Sequence, residues 1–163
     1  MPASAKKKIG GKYTPGNFIL KVKRSTAGLG LFAGEAIPKG KCVIEYVGRV
    51  ISPEEEYTSK SQYLFQVSKT KTIDGTTRTN TARYINYSHL PNCEVEIHKG
   101  RIFIFSRRNI KEDEELSYDY GKEFYDEHIK PKGCKCVKCL RTASVKKPSK
   151  KTSSPKKITS ARG

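Results

Sequence analysis

The periodicity along this chain is mostly two, with β-rich runs at FILKV, KCVIEYVGRVI and YLFQV, and nowhere does helical spacing persist long enough for a long amphipathic helix. That pattern predicts short strands in small sheets. It excludes a doubly wound parallel sheet, where a Gly-rich nucleotide loop opens a long helix. CEVEIH and RIFIFS flank Lys99 and Gly100, where glycine supplies the positive φ of a tight hairpin turn. A single short helix is predicted near Pro53, with Ser52 as N-cap, Pro53 at the first helical position and Glu55 completing a capping box. The predicted class is mainly β (α+β).

The 163 residues suffice for one domain with a real core. The charge is uneven. Residues 1–12 carry Lys6, Lys7, Lys8 and Lys12 without an acid, and residues 140–163 carry eight Lys or Arg without an acid. Between them the remaining 21 basic residues face all 16 acidic ones, so of a net charge of +17 only +5 belongs to the middle. The last stretch, RTASVKKPSKKTSSPKKITSARG, has too few large apolar side chains to offset its ordering entropy, and residues 141–163 are expected to form a basic disordered tail. Residues 1–15 are expected to form a similar arm. The tail's lysine clusters suit weak, salt-sensitive contact with DNA or chromatin; they also suit a solubilising tail, or substrates of the chain's own activity. No run is long and apolar enough for a membrane span, and the Lys-rich start lacks a signal-peptide core, so no membrane partner is expected. Three of five cysteines fall within six positions, Cys134 to Cys139, which fits a reducing, intracellular setting and a metal site rather than a disulfide framework.

Four segments then stand out in order: GLGLF (Gly28 to Phe32), RYINYSHLPNC (Arg83 to Cys93), ELSYDYG (Glu115 to Gly121) and CKCVKC (Cys134 to Cys139). Each has an ordinary reading by itself. The glycines make a turn between strands, Arg83 a surface ion pair and Asn86 a turn, while alternating tyrosines pack on the two faces of a strand. Together, in this order and spacing, they resemble the SET-domain protein lysine methyltransferases over about Phe18 to Cys139. The resemblance implies small β-sheets with the RYINYS segment threaded as a pseudoknot. It also implies a SET domain over 16–126 and a zinc-bearing post-SET segment over 127–140.

The same resemblance implies the cofactors S-adenosylmethionine and zinc, and assigns residues to them. Ala27, Gly28 and Leu29 contact S-adenosylmethionine, Arg83, Asn86, Tyr87 and Tyr120 complete its site, and Tyr63 lies against the cofactor or the lysine channel. The Asn86 amide, which offers both donors and acceptors, serves the cofactor's methionine portion. Tyr120 matches the catalytic tyrosine. Tyr118 stands where the family has phenylalanine or tyrosine, and a hydroxyl there points to mono- or dimethylation. Tyr87 departs from the family's histidine. His89 stands where the family has a fourth zinc cysteine, so the implied ligands are His89, Cys134, Cys136 and Cys139, with Cys93 as the competing fourth. The last cysteine gap is also shorter than usual, and three reduced thiols without metal are the alternative. Cys42 is expected as buried packing. The implied substrate is a lysine of a histone or other Lys-rich protein, and the setting is the nucleus or chromatin in a eukaryote or host, or the nucleoid or cytoplasm in a bacterium. The rival expectation is a catalytically weak SET-fold module that binds chromatin or DNA.

Overall fold

The computed structural model describes residues 11–145. Among the described residues ten strands form four small sheets, and the longest helix has nine residues. β1 (Leu20–Ser25) and β2 (Gly28–Ala33) make an antiparallel hairpin. The long run KCVIEYVGRVI is divided between two sheets, β3 (Cys42–Tyr46) and β4 (Arg49–Ile51). The break falls at Gly48, where a Cβ would lie 2.1 Å from the Asp74 carbonyl oxygen, so only glycine lets the backbones approach so closely. β5 (Leu64–Ser68) and β6 (Lys71–Asp74) form a hairpin, with β6 pairing β4 on its other edge.

α1 (Pro53–Thr58) starts as predicted, Ser52 Oγ accepting from the Glu55 amide at 3.2 Å. The other half of the capping box is replaced, because the Glu55 carboxylate pairs with Arg49 at 2.9 Å. β8 (Cys93–His98) and β9 (Arg101–Ser106) turn at Lys99 and Gly100, both with positive φ, 51° and 75°, as a type I′ hairpin requires.

β9 lies at the centre of the β3-β9-β8 sheet, and its alternation is divided between two cores. Ile102 and Ile104 join the main core with Leu31, Ile37, Ile85 and Leu116, while Phe103 and Phe105 form a second cluster with Cys42, covered by Tyr13. Cys42 is thus the buried packing residue expected. The Tyr13 ring stacks on His98 with centroids 3.9 Å apart, and its hydroxyl donates to Glu96 at 2.9 Å. Gly11 to Pro15, expected in the basic arm, therefore differ from that expectation: a buried aromatic cluster needs a cover on each face of its sheet, and Tyr13 supplies one. Residues 1–10 of the arm lie outside the described residues.

Near the C-terminus β7 (Asn86–Tyr87) pairs in parallel with β10 (Ser117–Tyr118), although the whole β8–β9 hairpin lies between them in sequence. α2 (Lys122–Phe124) opens a succession of short helical turns through Lys132, and α3 (Val137–Val145) follows. Arg141 to Val145 are thus helical rather than part of a tail; the rest of the expected tail lies outside the described residues. No helix among the described residues is long and apolar enough to cross a membrane.

Candidate active site and metal cluster

The parallel β7–β10 pair builds the site by placing Asn86 beside Ser117 and Tyr87 beside Tyr118. Buried Asn92 braces it, its Oδ1 accepting from the Ser117 amide at 2.9 Å and its Nδ2 donating to the Glu115 carbonyl at 2.8 Å. Against this pair lies a cleft of about 380 Å³, within the range of small-molecule sites. Ala27, Asn86 and Tyr87 line it, and so do Ser25, Glu115 and Cys136. The Gly28 φ of +105° makes the turn that opens β2, and a Cβ there would meet nothing within 4 Å. Leu29 contributes its carbonyl, which accepts from Asn86 Nδ2 at 2.9 Å.

Asn86 differs from the expectation of an amide free to donate and accept. Its Nδ2 also donates to Glu115 Oε2 at 2.8 Å, so both amide hydrogens are used inside the protein. The Glu115 and Ser25 partners were not among the sequence-predicted residues. Glu115 lay within the ELSYDYG motif, but the contact that gives it a role spans 90 residues to Ser25, which accounts for its absence from a local reading.

Tyr63 and Arg83 are brought together, but neither lines this cleft. The Arg83 guanidinium lies 5.2 Å from the Tyr63 ring centroid and donates to the Thr76 carbonyl and the Tyr84 hydroxyl. Its Nε is buried without a partner.

The two tyrosines of SYDYG sit among aromatic rings. Tyr118 is 5% exposed, with its ring centroid 4.8 Å from Tyr120 and 6.4 Å from Phe65. Tyr120 meets Tyr87 at 5.6 Å and Phe124 at 5.0 Å, both edge to face, and its hydroxyl donates to the Ile85 carbonyl at 2.5 Å. Burial pushes both phenols well above their usual range, so each is a neutral O–H at physiological pH. Tyr87 is pushed up to about 12, again chiefly by burial.

A second group adjoins the cleft. The donor atoms of His89, Cys134, Cys136 and Cys139 all lie within 4.8 Å of one another, and His89 Nδ1 is 3.7, 3.5 and 3.2 Å from the three sulfurs in chain order. A tetrahedral zinc with Zn–S of about 2.3 Å and Zn–N of about 2.0 Å has an N···S edge of about 3.5 Å, so the donor set fits that ion. Burial opposes ionisation of Cys136, but hydrogen bonds from the His89 and Cys139 backbone and from the His89 ring lower its thiol to about 6. Cys93 is elsewhere, packed in the main core, with burial pushing its thiol up to about 12. The cluster and cleft are tied where Thr26 Oγ1 donates to the Lys135 carbonyl at 2.9 Å. Tyr87 bridges them as well, its ring packing on His89, Tyr125 and Tyr120.

A family model described as SET domain matches residues 28–121. Among curated proteins, the histone-lysine N-methyltransferase trr of Drosophila melanogaster is 38% identical over 77% of this chain and 6% of its own length. Histone-lysine N-methyltransferase set1 of Dictyostelium discoideum is 39% identical over 69% of this chain and 8% of its own length. An H3 lysine-4 specific histone-lysine N-methyltransferase of Chaetomium globosum is 40% identical over 58% of this chain and 10% of its own length. The chain spans no more than a tenth of these relatives.

Proposed function

The chain belongs to the SET-domain family, and on that premise we propose that it transfers a methyl group from S-adenosylmethionine to a lysine of a histone or other Lys-rich protein. The observation that carries this reading is the parallel β7–β10 pairing, which sets Asn86 at the cleft beside Ser117, while Tyr120, itself outside the cleft lining, bonds by its neutral hydroxyl to the Ile85 carbonyl next to Asn86. When bound, S-adenosylmethionine supplies an electrophilic methyl on a sulfonium, and only a neutral amine has the lone pair to attack it. Free lysine titrates near 10.4, so presenting the neutral amine at pH 7.4 costs about 4 kcal/mol. An aromatic surround disfavours the ammonium and reduces that cost. Tyr118, Tyr120, Phe65 and Phe124 are the rings that supply it here.

In this reading Tyr120 orients the amine and methyl by its hydroxyl and does not act as a strong base, because its raised pKa makes phenolate scarce. The proton leaves through water. Tyr118 limits the product to mono- or dimethylation by crowding an amine that already carries methyls. Ala27, Gly28, Leu29, Asn86 and Tyr87 hold the cofactor, with Arg83 and Tyr63 supporting that site from outside the cleft. His89, Cys134, Cys136 and Cys139 hold a zinc ion whose ligation fixes the wall beside Tyr87. The relatives' names support a histone as substrate class and a chromatin setting, and the Lys-rich composition of the tail supports contact with DNA or chromatin. Calorimetric titration tests the cofactor half of this reading. The protein binds one S-adenosylmethionine per chain and Asn86→Ala weakens it, whereas no heat of binding by metal-loaded protein contradicts the proposal.

A further inference from the structure

We propose that Glu115 is a positioning residue, which fixes the Asn86 amide so that its oxygen alone is left to a ligand in the cleft. The side chain's two partners decide its orientation. A carboxylate and the Leu29 carbonyl can only accept, and Asn86 faces them at 2.8 and 2.9 Å, so the amide must turn its NH₂ toward both. Reversed, its oxygen would sit against two other oxygens. The remaining acceptor matches an N–H donor. Resting on the function proposed above, that donor is the α-ammonium of S-adenosylmethionine.

Three further observations make this a built arrangement. Ser25 Oγ donates to the other carboxylate oxygen at 2.9 Å and accepts from the Ala27 amide at 3.4 Å, linking the carboxylate to the turn that lines the cleft. The Glu115 backbone is held by a bridge to Phe32 and by the bond its carbonyl accepts from Asn92. Gly30 makes the room, since a Cβ there would lie 2.3 Å from Glu115 Oε2 and 3.0 Å from Ser25 Cβ. The glycine's requirement is therefore space for the Glu115 carboxylate.

Two substitutions disturb the arrangement in different ways. Glu115→Gln keeps the shape but replaces one acceptor by a donor, so it cannot accept from both Asn86 and Ser25. Gly30→Ala keeps the charge and displaces the carboxylate. Each should raise the Kd and KM for S-adenosylmethionine about tenfold, the loss of one charge-assisted bond. The kcat at saturating cofactor should change less than about twofold, the mark of lost ground-state binding. In a double-mutant cycle, adding Glu115→Gln to Asn86→Ala should cost nothing more, because the carboxylate acts through the amide. Additive penalties, or wild-type affinity in Glu115→Gln, overturn the proposal.

The ligand-free protein gives an independent readout by ¹⁵N NMR. The Asn86 side-chain amide protons should exchange slowly in the wild type and at least about tenfold faster in both variants, as expected once the carboxylate no longer holds the amide. If the wild type binds no S-adenosylmethionine, the proposed function fails while the amide exchange still decides the positioning role. Fast exchange in the wild type, or unchanged exchange in both variants, overturns it.

Discussion

At the scale of the residue, the proposed mechanism divides binding from chemistry at one hydroxyl. Tyr120 packs in an aromatic surround and donates to the Ile85 carbonyl, so Tyr120→Phe removes an oriented O–H while keeping the ring contacts. Its kcat should fall at least about 100-fold with calorimetric S-adenosylmethionine affinity nearly unchanged. A mutant turning over at the wild-type rate contradicts the role. Tyr118→Phe should shift a peptide product toward higher methylation states, read by mass spectrometry; an unchanged distribution contradicts the crowding argument. Because burial raises the Tyr120 pKa, the wild-type rate between about pH 7 and 9 should climb as the substrate amine loses its proton, with no descending limb from Tyr120. The motifs that hold Asn86, Tyr118 and Tyr120 were legible in the sequence because each is local. The direction of the Asn86 amide was not, because its partners Leu29 and Glu115 come from other segments.

At the scale of the element, the His–Cys cluster depends on α3 and on one residue borrowed from beyond β7. His89 rather than Cys93 joins the three cysteines, as strand geometry dictates: Cys93 starts β8 and its side chain is committed to the core. Purified protein never exposed to chelator should hold about one zinc per chain. His89→Ala should lower that stoichiometry more than Cys93→Ser, and the reverse ranking, or no metal in the wild type, contradicts the assignment. Local signals were legible here too, such as Ser52 capping α1 and the Lys99-Gly100 turn. Glu55 escaped the capping box because β4 brings Arg49 within ion-pair distance, a tertiary contact competing with a local one.

At the scale of the whole molecule, buried titratable groups and uneven charge have separate consequences. Burial raises the tyrosines Tyr46, Tyr118 and Tyr120 and the thiols Cys42 and Cys93, so the folded state keeps protons that the unfolded chain releases above about pH 9 to 10. Their contribution is complete below that range and lost as pH rises through it, so the thermal midpoint should fall steeply above about pH 9; a flat profile to pH 11 contradicts this. Residues 146–163 hold seven basic residues and no acid. Deleting them should weaken DNA binding and flatten its salt dependence between about 50 and 300 mM, with peptide methylation nearly unchanged; the cut belongs after Val145 because α3 runs that far. Equal DNA binding by the full and shortened chains contradicts the tail's role. The mainly β class was legible from period-two runs, whereas the β7–β10 pairing across an intervening hairpin was not, since no local periodicity encodes a parallel partner. The most direct test of the central claim is methyl transfer from labelled S-adenosylmethionine to a panel of histones and Lys-rich proteins. Label should appear on lysine with the wild type and be lost with Tyr120→Phe, and a wild-type protein that binds the cofactor yet labels none of the panel would contradict the account.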